Sequence, residues 1–284
     1  MQTRRSLSTI IGTATIGAAA LARGASAQTT APSSGEATLD RVRRSGVLRI
    51  AALPGETPFF EKDLASGTWS GAAIDMARSI ASALNAKLEY VEATYGTSVL
   101  DLQSNKVDLA FALNPTAQRA LSIGFSRAYY MHPFGYVSRP GFPARNWEDL
   151  NRPDVRVVSL IGSLTDTLVA RYAPKAQVIG VKDGSNAILT MQSGRGDCIV
   201  YGLVQGLSVS AKAPELSQMV LLRKPLVALP SAMGVQQEPD RRWRDFLDAW
   251  VDYNAGSRQV ADWMRTGLLK MGVKADTIPA DADL

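Results

Sequence analysis

Apolar and polar positions along this chain change period at short, regular intervals. VLRIAAL (47–53) and VDLAFAL (107–113) are almost unbroken apolar runs, as expected of strands covered on both faces. Between them lie a helix-period segment, IDMARSIASAL, a strand, KLEYVEA, and a second helix, TSVLDLQS. The same alternation returns as VRVVSLI, SLTDTLVARYA, AQVIGVK, SNAILTMQS, DCIVYG, LVQGLSVSAKA and MVLLR. Strands alternating with helices of this length predict right-handed βαβ units and mostly parallel sheets. Two such passages predict two sheets, and hence two lobes. The tail differs. From Pro239 a helix carries Trp243, Phe246, Leu247, Trp250 and Val251 on one face, and a second helix follows Gly256 with Val260, Trp263, Met264, Leu268 and Leu269. Tryptophans at that spacing are expected to pack on a lobe.

One junction stands out chemically. In LAFALNPTAQR, Asn114 or Thr116 can cap a following helix, and Pro115 fits its first position. Arg119 then falls on the first turn or two of that helix, near the carboxyl end of a central strand, where open α/β sheets tend to bind ligands. A surface arginine is the competing reading.

Composition sets the outer bounds. The 284 residues are 46% hydrophobic and 20% charged, ordinary for a globular chain with room for two lobes. Residues 1–27 read as a signal peptide: Arg4 and Arg5, a mildly apolar Ile10 to Leu21, and Ala25-Ser26-Ala27 before a cut after Ala27. TRRSLS suggests twin-arginine export, with ordinary secretion as the alternative. This leader holds three arginines and no acid, so the mature chain would carry 28 bases against 26 acids. The basic balance is therefore partly an address label and gives no licence for nucleic-acid binding. Cys198 is alone and reads as a small buried hydrophobe, and His132 is the single histidine, which leaves no HExxH-type metal site and little prospect of a Ser-His-Asp triad.

The order of motifs resembles a known family. GVLRIAAL, the Pro58-Phe59 pair, Gly71 followed by Asp75-Met76-Ala77, and LQSNKVDLAFALNPTAQRALSIGFSRAYY carry it, continued by WEDL, VRVVSLIGS, MQSGRGD and GSRQVADWMRTGLL. These are similar to the family 3 bacterial extracellular solute-binding proteins, the polar amino-acid receptors of ABC importers. The resemblance implies an α/β, two-lobed periplasmic-binding-protein fold (type II). Each lobe is a mostly parallel sheet flanked by helices, and two crossover hinge segments fall near residues 131–135 and 227–235. The implied division is a leader (1–27), a flexible linker (28–38), the first part of lobe 1 (39–131), lobe 2 with its hinge segments (132–235) and the C-terminal helices of lobe 1 (236–284). A monomer in the periplasm, an inner-membrane ABC permease as partner, and a small-molecule carboxylate ligand are implied with it.

The same resemblance assigns roles. Thr116 and Arg119 match a T-x-x-R segment whose arginine grips the ligand's α-carboxylate, a task suited to a planar fork of donors. Asn114 stands where Ser or Thr is usual and would offer a side-chain hydrogen bond. Ser163, after Gly162, matches a donor to the same carboxylate from the facing lobe, with a plain N-cap as the alternative. Tyr95 matches an aromatic that covers the ligand side chain, against an exposed loop tyrosine. Along GRGDCIVYG, Asp197 matches the family's first acid, but the usual ammonium-binding aspartate falls on Gly202. Glu56 is either a surrogate counter-charge or a loop carboxylate, and Asp75 is expected to be a structural cap. The α-amino half of the ligand is therefore in question while the carboxylate half is not.

Binding alone is the expected chemistry, with no catalytic residue, metal or cofactor. Two other classes stand beside it. One is an exported cyclohexadienyl or arogenate dehydratase using the same arginine, for which the cleft segments show no distinctive acid. The other is a ligand-sensing accessory module for a periplasmic partner.

Overall fold

The computed structural model describes residues 35–278. The expected signal peptide and linker residues 28–34 lie outside the described residues; the last linker residue, Thr38, already opens a helix. The first passage runs α1 (Thr38–Ser45), β1 (Val47–Ala52), the hairpin strands β2 (Glu61–Lys62) and β3 (Trp69–Ser70), α2 (Ala72–Ala83), β4 (Lys87–Glu92), α3 (Tyr95–Gln103), β5 (Leu109–Leu113), α4 (Ala117–Ala120) and the long β6 (Gly124–Ser138). The second runs α5 (Trp147–Leu150), β7 (Arg156–Leu160), α6 (Leu164–Tyr172), β8 (Gln177–Val181), α7 (Gly184–Gln192), β9 (Cys198–Gly202), α8 (Leu203–Lys212), β10 (Val220–Leu221) and β11 (Ala228–Val235). The tail helices α9 (Arg242–Gly256) and α10 (Gln259–Lys270) follow.

β1 pairs in parallel with β4 and β5, and β7 with β8 and β9, as the βαβ reading expects. The two expected sheets join through a shared strand. The strand order is β4-β1-β5-β11-β6-β9-β7-β8, one continuous ladder, with β10 on the other side of β6. The cause is the length of β6. Its residues 124–133 pair antiparallel with β11, and residues 134–138 pair with β9. One strand thus belongs to both halves.

The halves keep distinct cores. The first contains Phe60, Ile74, Phe111, Trp243 and Leu247, so the tail helices pack on the half built by the chain's first passage. The second half has two clusters, around Trp147 and Tyr136 on one face and Val158, Ile199 and Val209 on the other. Helix α8 straddles the division: Leu203, Val204 and Leu207 join the first core while Val209, and Ala213 just past its end, join the second.

Smaller expectations also shift. MVLLR forms only the two-residue β10, α9 starts at Arg242 rather than Pro239, and Gly256 is its last residue. Asp75 does not cap α2, whose N-cap is Gly71; its carboxylate pairs with Arg78 at 2.9 Å.

Each half is locked by the same device. The Arg49 amide donates to Asp108 Oδ2 at 2.8 Å, and the Asp108 amide donates back to the Arg49 carbonyl at 2.8 Å. In the second half Arg156 and Asp197 repeat both bonds at 2.8 Å. Guanidinium groups of Arg41 and Arg49 complete the first site, and those of Arg139 and Arg156 the second. Asp197, the acid of the GRGD motif, is therefore structural. The Arg156 side chain, then the Arg156 amide and Arg139, hold its carboxyl well below the usual range. A depressed folded pKa gives stability that is present above the unfolded value near 4 and is lost as pH falls. We expect Asp197→Asn to cost about 2–3 kcal/mol at pH 7, the gap to wild type closing toward pH 3 in urea titrations. A gap that stays constant with pH would contradict this role.

Candidate functional site

The site grows from the end of β5. Ala112 takes a left-handed φ of 57°, and its amide donates to the Tyr129 hydroxyl at 2.9 Å, which turns the chain out of the sheet. Thr116 then caps α4, its Oγ1 accepting from the Arg119 amide at 3.2 Å. Pro115 thus precedes the cap instead of opening the helix. The single turn aims the Arg119 guanidinium back over β5, where it donates to the Asn114 carbonyl at 3.3 Å.

From the opposite half, β7 ends at Leu160 and the chain turns at Gly162, with φ at 75°. A Cβ on Gly162 would lie 3.2 Å from Gly96 Cα, so this glycine serves both the turn and the close approach of the two halves. Its carbonyl accepts from Arg119 at 3.0 Å. Ser163 caps α6, its Oγ accepting from the Asp166 amide at 3.4 Å and bonding Thr165 Oγ1 at 2.8 Å. Arg119 is the cation where the two halves meet at the cleft. Burial lowers its pKa, yet a guanidinium keeps its charge at neutral pH.

Between the halves lies a cleft. Arg119, Asn114, Ser163 and Tyr95 lie on its wall, and among the described residues Arg119 is the one charged side chain there. Three other expected site residues do not. Thr116 is occupied as the α4 cap. Gly202 is the N-cap of α8, buried under the ring of His132: a Cβ on it would lie 2.3 Å from His132 Nδ1. Glu56 sits behind the wall. Its Oε1 accepts from the Gly184 amide at 3.1 Å, its Oε2 accepts from Gln205 Nε2 at 2.9 Å, and it is hydrogen-bonded to the Tyr95 hydroxyl. Glu56 is neither a loop carboxylate in water nor a counter-charge on the wall. It ties the first half to α7 and α8 of the second. Tyr95 opens α3 rather than lying on a loop, and its hydroxyl accepts from Gln205 at 2.8 Å.

Asn114 is pinned. Its Nδ2 donates to the Pro230 carbonyl at 2.7 Å and contacts His132 Nε2 at 2.9 Å, so Oδ1 is the part left for a ligand. His132, Gln205, Tyr201 and Thr165 also line the cleft, and sequence reasoning assigned none of them to it. A sole histidine beside the first expected crossover was the available signal. Gln205 had none, because one helical glutamine resembles any other.

Two α/β cores, two strands crossing between them and a cleft at the crossing define a two-lobed ligand-binding protein of the periplasmic-binding-protein type. This chain belongs to the bacterial extracellular solute-binding proteins, family 3, whose profile matches residues 48–274. Cyclohexadienyl dehydratase from Pseudomonas aeruginosa is 26% identical over 219 residues, 76% of this chain and 80% of that protein. The general L-amino acid-binding periplasmic protein AapJ of Rhizobium johnstonii is 27% identical over 253 residues, 84% of this chain and 70% of its own. Among solved structures, the amino acid ABC transporter substrate-binding protein AbpA from Streptococcus pneumoniae, bound to L-arginine, superposes with a TM-score of 0.75. It is 19% identical, and the match covers 83% of this chain and 99% of that one.

Burial raises the Glu56 carboxyl to about 7, with Asp183 adding to the rise and its three hydrogen bonds opposing it. Unfolded, this group would lose its proton near pH 4.3; folded, it keeps the proton far longer. Stability attributable to Glu56 therefore falls as pH rises between those values, by on the order of 3 kcal/mol in full. Glu56→Gln is expected to remove that fall when urea stabilities of the two proteins are compared from pH 5 to 8. A constant difference across the range would contradict the raised carboxyl.

Proposed function

We propose that this chain is a periplasmic receptor that closes on a small carboxylate and presents it to an ABC permease. The observation that carries the reading is Arg119, the single charged side chain on the cleft wall among the described residues, reaching from one half to a carbonyl of the other. A guanidinium desolvated in this way gains most from a ligand that meets its planar fork at two points. Ser163 and Thr165, at the start of the facing helix, add hydroxyl groups on the same wall. A ligand touching both walls stabilises the closed arrangement by its differential contacts. Export of the chain by a leader cleaved after Ala27, and action as a monomer, belong to this reading through the family's habit.

Arg119→Ala is expected to abolish ligand-induced thermal stabilisation. In wild type, a carboxylate at about 100 times its dissociation constant adds roughly 2.7 kcal/mol. A variant that keeps the wild-type shift would remove the clamp from the account.

One observation favours a second reading, an exported enzyme similar to cyclohexadienyl dehydratase. Glu56, near neutrality in pKa, has the protonation behaviour of a general acid, and Tyr95 and Gln205 connect it to the cleft wall. Against it, a dicarboxylic substrate would need a second cation, and the wall holds one. Incubation with prephenate decides: phenylpyruvate formation that depends on Glu56 supports the enzyme, and no turnover removes it.

A further inference from the structure

We infer that Glu56 is a proton-operated latch between the two halves: its carboxyl is protonated when they are closed and ionised when they part, so closure takes up a proton. This rests on the reading of the chain as a receptor whose halves close on a ligand, and adds a control on the closing.

The latch is built from one loop and one helix start. Glu56 lies in the loop between β1 and β2 of the first half. It meets the first turn of α7, whose Ala187 and Met191 belong to the second core. The contact leaves no room for side chains. A Cβ on Gly184 would lie 2.8 Å from the Gly55 carbonyl oxygen, and one on Gly55, where φ is 81°, would lie 2.7 Å from Ser185 Oγ. Two glycines thus let the backbones approach, and the Gly184 amide reaches Glu56 Oε1 at 3.1 Å. Helix α8 extends the contact along one of its faces. Gln205 donates to Glu56 at 2.9 Å, Ser208 to Thr57 at 2.8 Å, and Lys212 pairs with Glu61 at 2.7 Å.

The Glu56 carboxyl is buried in this contact, and among the described residues no cation partners it. The groups that face it are the Tyr95 hydroxyl of α3, Asp183 and the Gly184 amide at the start of α7, Gln205 of α8 and the Tyr201 hydroxyl at the end of β9. Asp183 opposes ionisation, and the others are neutral. Arg119 stands beyond Tyr95 on the cleft wall, and Lys182 lines an outer groove with Pro54 and Glu92. A carboxylate enclosed here would be desolvated with neutral donors alone, whereas the protonated acid carries no charge and finds an acceptor in the Tyr95 oxygen.

Parting the halves withdraws α7 and returns Glu56 to water, where a carboxyl keeps its proton only below about pH 4.3. In the closed arrangement it keeps the proton up to about 7. Closure is therefore favoured most at low pH, and that advantage is lost as pH rises through the closed-state value. Between the two values each pH unit lowers the closed-to-open ratio by up to about tenfold.

The test needs no ligand. Spin labels on Leu100→Cys of α3 and Leu189→Cys of α7, both exposed, report the separation of the halves by pulsed electron resonance, with Cys198 buried away from the label. In ligand-free protein the closed-to-open ratio is expected to fall at least about tenfold from pH 5 to pH 8. Glu56→Gln should flatten that response. Gly184→Ala, which keeps the carboxyl but crowds Gly55, should lower the closed fraction at both pH values. A separation indifferent to pH in wild type, or an equal response in Glu56→Gln, overturns the latch. So does a Gly184→Ala closed fraction equal to that of wild type, whether or not the Glu56 variant folds. The same labels titrated with L-arginine, L-glutamine and phenylpyruvate test the receptor reading separately: if none of them closes the cleft, that reading fails, while the pH response alone decides the latch.

Discussion

Everything at the cleft depends on the antiparallel pairing of β6 with β11. These two strands carry the chain across from one hydrophobic core to the other, and their hydrogen bonds run from Gly124 opposite Val235 to Pro133 opposite Ala228. Pairing irregularities on either side of Ala232 bend the ladder where it faces the cleft. The site residues hang from this ribbon. Asn114 is tethered to the Pro230 carbonyl, His132 stands on β6 directly before the strand changes partner, and Ser231 on β11 bonds the Tyr129 hydroxyl that in turn holds Ala112. This two-strand connection lets the halves meet at Arg119 and Gly162 while each keeps its own core.

The buried charges fall into two kinds, and the contrast separates scaffold from site. Asp108 and Asp197 are surrounded by guanidinium groups and backbone amides at equivalent places in the two halves, so each pays its desolvation with full pairing. Arg119 and Glu56 are the opposite. Arg119 meets only carbonyl oxygens, and Glu56 meets only neutral donors. Incomplete compensation of this sort shifts pKa values and marks places where a further group is expected to bind or a proton to move. Arg119 faces the cleft and can be satisfied by an anion. Glu56 is enclosed and acts between the halves.

Much of this was legible in the sequence. The βαβ alternation, the tail helices and the position of Arg119 follow from hydrophobic period and from the Asn-Pro-Thr step, because those signals are local. The continuous sheet was not legible, since no local pattern says that a fifteen-residue strand will pair with two different partners along its length. Gly202 shows the same limit at the site. Its lack of a carboxylate can be read directly, but what fills the space cannot, because His132 comes from a strand seventy residues earlier. Glu56 reads from sequence as a counter-charge or a loop carboxylate, because its partners, Gly184 and Gln205, come from distant segments. Long-range packing decided each of these.

The central claim is that Arg119 grips a carboxylate inside the closed cleft. A crystal structure of the complex with a bound carboxylate tests it most directly. The account expects both carboxylate oxygens within about 2.7–3.0 Å of the Arg119 guanidinium. A ligand bound in the cleft with its carboxylate turned away from Arg119 would contradict it.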